Sequence, residues 1–119
     1  MKKVKTVEVK IFLGLKKGYT ESYKSIQQLY NFLRIYCTKY KLAVSITPTR
    51  YIYVNGEEDG AIIGLINYPR FPSNKKKIKK RALHLAEELM YEFKQYRVSV
   101  MLNDKTYMLE NDKLKNDSM

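Results

Sequence analysis

Between Val7 and Leu13 the apolar side chains Val7, Val9, Ile11 and Leu13 occupy every second position, with Glu8 and Lys10 between them, whereas from Ile26 to Tyr40 they return every third or fourth position. The first period belongs to a strand with one buried face, the second to a helix with one buried stripe. A chain that switches period in this way must stack its helices on its sheet, because neither element can bury its apolar side alone.

The remaining elements follow from the same test. Ser25 with Gln28 three residues on has the form of a capping box, and Ile26, Leu29, Leu33, Tyr36, Cys37 and Tyr40 form the stripe of a first helix. Leu42, Val44 and Ile46 alternate, Thr47-Pro48-Thr49 interrupts, and Tyr51 to Val54 resumes up to Asn55-Gly56. Proline donates no ladder hydrogen bond, so this strand has an edge, a bulge or a kink at Pro48. Glu57-Glu58-Asp59-Gly60 reads as a solvated hairpin tip, and Ala61 to Asn67, apolar on both faces, reads as a central strand. After the corner Tyr68-Pro69-Arg70-Phe71-Pro72, Ser73 is the expected N-cap of a second helix with the stripe Ile78, Ala82, Leu85, Ala86, Leu89 and Phe93. Arg97 to Leu102 alternates again, Asn103-Asp104 turns, and Thr106 to Leu109 has the form of a short fifth strand.

The order strand, helix, strand, strand, helix, strand predicts an α+β fold of the ferredoxin-like split βαβ kind, an antiparallel sheet with two helices on one face. Residues 1–110 make one domain on this reading, and 111–119 are a polar, frayed tail. The uncovered sheet face is expected to carry Phe12, Tyr51, Tyr53 and Ile63, which suggests a homo-oligomer.

Composition narrows the chemistry. Cys37 is the only cysteine and His84 the only histidine among 119 residues, so a disulfide scaffold is excluded and a metal site built from His and Cys is not expected. Cys37 lies on the apolar side of the first helix and reads as core. His84 falls outside the buried arc of the second helix and reads as exposed and idle. No cofactor motif, Gly-rich phosphate loop, paired-carboxylate set or Ser-His-Asp arrangement stands out, so no catalytic residue is assigned. No apolar run approaches the roughly 20 residues of a membrane span, and the start alternates like a strand where a signal peptide has an apolar block. The expectation is a soluble protein of a bacterial host cytoplasm, with no membrane partner.

Lysine and arginine number 23 against 12 acids, a formal net charge of +11. Two segments account for the whole excess: residues 1–20, which include Lys16 and Lys17, and the run Lys75, Lys76, Lys77, Lys79, Lys80 and Arg81. Only Arg34, Arg50, Arg70, Arg81 and Arg97 are arginines, so part of the charge reflects a lysine-rich coding bias. Lysines at a helix start oppose the helix dipole by roughly 0.3–1 kcal/mol each when exposed, and the same terminus offers free N–H groups to an anion. The bland reading is a solvated surface.

Three segments are candidates for binding. Ser73, Asn74 and Lys75 open the second helix. Tyr68, Arg70 and Phe71 sit on a corner stiffened by two prolines, where arginine can grip phosphate and an aromatic ring can stack on a base. Arg50 lies at the Pro48 interruption and would complete an anion clamp with Arg70 if the fold brought them together. Each also has a structural reading, as helix cap, hydrophobic staple and edge-strand irregularity.

Thr47-Pro48-Thr49-Arg50-Tyr51-Ile52-Tyr53, Asn55-Gly56 and Gly64-Leu65-Ile66-Asn67-Tyr68-Pro69-Arg70-Phe71-Pro72-Ser73 resemble segments of small proteins encoded by phages and prophages, a family with no established activity. The likeness continues through the second helix to Tyr96-Arg97-Val98-Ser99-Val100 and Met108-Leu109-Glu110, about two-thirds of the chain. It implies a phage accessory role and transfers no catalytic residue. The sequence-based expectation is therefore a non-enzymatic module that holds a phosphorylated, nucleotide-like ligand, such as a host defence signal. The alternatives are a nucleic-acid binder using Lys76, Lys77, Lys79, Lys80, Arg81, Lys16 and Lys17, or an inhibitor docking the Leu83/Met90 side of the second helix or the apolar sheet face on a host protein.

Overall fold

The computed structural model describes residues 1–16 and 23–117. Its elements are β1 (Glu8–Gly14), α1 (Ile26–Tyr40), β2 (Ser45–Tyr53), β3 (Gly56–Ile66), α2 (Lys75–Glu92), β4 (Arg97–Leu102), β5 (Lys105–Glu110) and α3 (Asp112–Asp117). The five strands form one antiparallel sheet in the order β2-β3-β1-β4-β5. Each long helix bridges two strands separated by a third, α1 between β1 and β2 and α2 between β3 and β4, which is the expected α+β, ferredoxin-like arrangement with β5 added at one edge.

Both long helices pack on one face. Val9, Ile11 and Leu13 of β1 face Leu65, Ile63 and Ala61 of β3 in register, and Val98, Val100 and Leu102 of β4 join them, all buried. Leu29, Leu33 and Tyr36 of α1 and Ile78, Ala82, Leu85, Ala86 and Leu89 of α2 close the core from above, with Phe93 set edge-on to Phe32 at 6.0 Å between ring centroids. The capping box forms as read, Ser25 Oγ accepting from the Gln28 N–H at 3.1 Å and Gln28 Oε1 accepting from the Ser25 N–H at 2.7 Å.

Four local readings are corrected. Glu57–Gly60 is strand, not a hairpin tip: the β2–β3 reversal is made by Val54 and Asn55, and Asn55 takes the left-handed conformation (φ 61°) that asparagine tolerates. Ile63 faces the helices, opposite Ile11, while the outer face carries Phe12, Tyr51 and Tyr53 as expected, together with Ile62, Ile66, Met101 and Met108. Asn74, not Ser73, caps α2, its side chain accepting from the Lys77 N–H at 2.9 Å. Where the polar composition of residues 111–119 suggests fraying, Asn111 is 2% exposed and Asp112–Asp117 is helical. Pro48 sits on β2, an edge strand, and the register runs unbroken past it from Thr47↔Ile62 to Thr49↔Gly60. Among the described residues no helix is long and apolar enough to cross a membrane.

Because Phe93 is 1% exposed and touches both helices' apolar faces, Phe93→Ala is expected to lower unfolding stability by about 3–5 kcal/mol. Urea denaturation of the two proteins measures the difference, and a loss under about 1 kcal/mol would contradict this packing.

Candidate functional site

The corner after β3 is fixed by Asn67, 7% exposed. Its Nδ2 donates to the Lys5 carbonyl at 2.8 Å, its Oδ1 accepts from the Ser73 N–H at 2.9 Å, and its own N–H donates to the Val7 carbonyl at 2.9 Å. One buried amide thus ties the chain entering β1 to the chain entering α2, with every polar atom satisfied. Between these ties Tyr68 to Phe71 turn sharply, the Phe71 N–H donating to the Tyr68 carbonyl at 2.9 Å.

The corner faces the C-terminal end of α1. There Lys41 adopts the left-handed conformation (φ 53°), ending the helix and sending Leu42 back toward the sheet. Corner, α1 end and the first turns of α2 enclose a cleft of about 890 Å³. Its apolar and aromatic wall includes Tyr40, Leu42, Leu65, Ile66, Tyr68 and Phe71, and its basic side is made by Lys41, Lys77, Lys80 and Arg81. No acidic residue lines it among the described residues. The Arg81 guanidinium lies over the Tyr40 ring, 4.1 Å from its centroid. Cys37 is half-buried on the cleft wall and not in the core, and burial pushes its thiol above the usual range, as burial and the nearby Cys37 do for the Tyr68 hydroxyl. Both are held neutral and protonated.

Of the residues read as ligand-binding, Tyr68, Phe71 and Ser73 line this cleft. The other four are engaged elsewhere. Arg50 is on the β2 edge and is held by Asp59 at 2.6 Å and Glu57 at 3.2 Å, so its charge is neutralised and no clamp with Arg70 forms. The hairpin register puts those acids beside it. Arg70 lies over the Phe71 ring, 5.3 Å from its centroid, and does not line the cleft. The Asn74 side chain is committed to its cap, and Lys75 reaches Asp104 in the β4–β5 turn at 3.5 Å.

The lysine run radiates instead of forming one patch. Lys77, Lys80 and Arg81 face the cleft, Lys79 lies 4.9 Å from the centroid of the Tyr107 ring, and Lys76 is exposed. Lys16 pairs with Tyr23 in an isolated bridge, and Lys17 lies outside the described residues. Met90 is 2% exposed and Leu83 packs against the core, so that side of α2 offers no docking stripe.

Two polar clusters escape a reading by periodicity. His84 is not idle: its Nδ1 shares a hydrogen bond with the Tyr36 hydroxyl at 2.7 Å, and Nε2 lies 3.4 Å from Glu88. Only the packing of α1 on α2 brings Tyr36 there. On the outer sheet face, Tyr51 lies across Gly60, where a Cβ would collide with its ring and with the Leu13 carbonyl. Its hydroxyl donates between the Leu13 and Ala61 carbonyls, each at 3.2 Å. Burial and the neighbouring Glu58 push the Tyr51 hydroxyl up to about 12. Burial also raises Glu58, more than the charge and backbone N–H of Lys16 lower it. The Asn-Gly turn signal announces the hairpin, but a reversal at Val54-Asn55 sets the register that pairs Tyr51 with Glu58.

A carboxyl whose pKa is higher folded than unfolded binds more protons in the native state, so it lowers stability as pH rises through that window. Glu58→Gln is therefore expected to raise the melting temperature at neutral pH and to flatten its dependence on pH just above the ordinary glutamate range. Thermal melts from pH 4 to 7 test this, and an unchanged slope would show that Glu58 is not desolvated.

No family model and no curated protein matches the chain. Solved structures do: a phage SAM lyase in complex with S-methyl-5'-thioadenosine superposes with a TM-score of 0.77 at 18% identity, covering 90% of this chain and 91% of that one. A phage SAM lyase in the apo state gives 0.69 at 16% identity, covering 89% and 90%. These matches establish the shared fold. They also run against the expectation of a non-enzymatic sequestering module, since both of these structures, matched over about nine-tenths of the chain, are of SAM lyases.

Proposed function

We propose that this chain is a phage-encoded lyase that cleaves the sulfonium of SAM to release S-methyl-5'-thioadenosine, acting in the cytoplasm of a bacterial host. The observation that carries this reading is the fold shared with phage SAM lyase over nine-tenths of both chains.

The cleft beside Asn67 suits such a ligand. Tyr40, Tyr68 and Phe71 offer rings for an adenine to stack on, and Ser73 offers a hydroxyl for the ribose. In the reaction the bond from sulfur to the γ carbon of the methionine part breaks, and its electron pair stays on sulfur as a neutral thioether. The γ carbon is satisfied within the departing fragment, where that fragment's own carboxylate closes on it to form a lactone, so no proton has to be transferred. A positive charge disappears at sulfur along this path. The carboxylate's negative charge is consumed with it, so the four cations lining the cleft favour the transition state only to the extent that they lie nearer the sulfur than the carboxylate. Adenine stacking offsets the matching penalty on substrate binding.

Purified protein incubated with SAM should release S-methyl-5'-thioadenosine faster than a protein-free control, followed by chromatography. Phe71→Ala and Tyr68→Ala are each expected to slow release by about tenfold through weaker stacking. Release at the control rate by the wild-type chain would refute the assignment.

The outer sheet face supports self-association as part of the same reading. Thr47, Ile62, Phe12, Ser99 and Met108 form one row across all five strands, flanked by Ile66 and Met101, and Ile66 and Met108 are exposed. We expect a homo-oligomer in sedimentation experiments that Ile66→Asp shifts toward monomer.

A further inference from the structure

We propose that His84 is a pH-sensitive latch between α1 and α2: as the neutral ring it holds the end of α1 in place beside the cleft, and on taking up a proton it lets that end go. Its bearing on turnover rests on the reading above, and its bearing on the cleft does not.

The two helices meet through long side chains. Phe32, Tyr36 and Tyr40 follow one another at four-residue spacing along α1. Phe93 stands edge-on to Phe32, His84 Nδ1 lies 2.7 Å from the Tyr36 hydroxyl, and the His84 ring stands edge-on to Tyr40 at 5.4 Å between centroids. Arg81 covers Tyr40 from the other side of the interface. The series ends at Tyr40 and Arg81, and both line the cleft. What grips Tyr36 and Tyr40 therefore decides how firmly that end of α1 stays beside α2.

The proton positions follow from the donors present. Arg81 donates to the Tyr36 hydroxyl oxygen, and burial outweighs that guanidinium and keeps the hydroxyl protonated. A phenol has one proton to give, and Nδ1 is its acceptor, so the proton of the neutral imidazole sits on Nε2, 3.4 Å from Glu88. Each group then has a partner, from Arg81 through Tyr36 and His84 to Glu88. A second proton on the ring takes the acceptor away. Nδ1–H then points at a hydroxyl whose own proton points back, and Tyr36, 5% exposed, is shut off from solvent.

The charges around the ring give the movement its direction. From α1 the ring faces Tyr36 and Tyr40, with Lys39 over the Tyr40 ring at 5.3 Å. On α2, Lys80 and Arg81 lie one turn before it, and Glu87 and Glu88 one turn after. The cations thus gather on the Nδ1 side, with Tyr36 and Tyr40, and Glu88 stands half-exposed on the Nε2 side. An imidazolium is pushed from the first and drawn to the second, away from Tyr36.

Because His84 is the only histidine, its ring gives the only imidazole signals of the full chain. Long-range proton–nitrogen NMR at neutral pH is expected to show the proton on Nε2 and none on Nδ1. As pH is lowered through the titration of that ring, hydrogen-exchange protection factors of the amides from Tyr36 to Tyr40 are expected to fall about fivefold, the worth of one hydrogen bond. The fall should share the midpoint of the ring, and protection in β4 should stay level. His84→Asn, which offers an uncharged amide oxygen near the place of Nδ1, should keep the protection of α1 level across the same range. Tyr36→Phe should lower it at neutral pH and abolish its pH dependence. A proton on Nδ1 at neutral pH, protection that ignores the titration of the ring, the same fall in His84→Asn, or a pH dependence that survives in Tyr36→Phe would each overturn the latch. If neither variant folds, the wild-type midpoints decide: coincidence with the imidazole supports the latch, and a midpoint elsewhere overturns it. None of these measurements contains SAM, so their failure leaves the lyase assignment untouched, and failure of that assignment leaves them standing.

Discussion

Both long helices must lie on one side of the sheet, and most of the molecule follows from that constraint. The crossover from β1 to β2 leaves a gap that β3 fills, and the crossover from β3 to β4 leaves one that β1 fills. The two helices then run side by side, with the end of α1 next to the start of α2. A helix that ends beside another that begins leaves a space that only a loop can close. Here the loop is the Tyr68 to Pro72 corner, and the space is the cleft. The buried Asn67 holds that loop by hydrogen bonds to two distant stretches of backbone, so the cleft's position is tied to the sheet and not to a mobile connection.

The distribution of charge has a different logic from its total. A net charge of +11 suggests a single basic surface, but the lysines that open α2 leave the helix in several directions. Successive residues turn about 100° around the axis, so a run of like charge on a helix is spread over its circumference. What survives as a site is the subset that faces α1. Exposed pairs such as Lys75 with Asp104 contribute little to stability.

Periodicity made the strands and long helices legible in the sequence, since side-chain direction repeats every two or 3.6 residues whatever the partner. Register was not legible. A reversal at Val54-Asn55 turns the acidic run Glu57 to Asp59 into strand, and from that follow both the capture of Arg50 and the pairing of Tyr51 with Glu58. Contacts between helices are hidden for the same reason, so periodicity misplaces His84 and Cys37. Part of the cleft was visible: Tyr68, Phe71 and Ser73 from the corner, and Lys77, Lys80 and Arg81 from the basic run. Its other wall, Tyr40 and Leu42, reads in sequence only as helix stripe and strand. No catalytic motif is legible, and the proposed chemistry needs none, because the bond-making group belongs to the substrate.

An open sheet has two borders at which a foreign strand can attach, and this one has β2 and β5. Pro48 puts a residue without an N–H on the β2 border, and Arg50 follows two positions later. A growing fibril needs an uninterrupted row of donors and acceptors, and here the row is broken near its middle. Stacking by the β2 border is therefore disfavoured, which leaves β5 as the border a foreign strand would meet first.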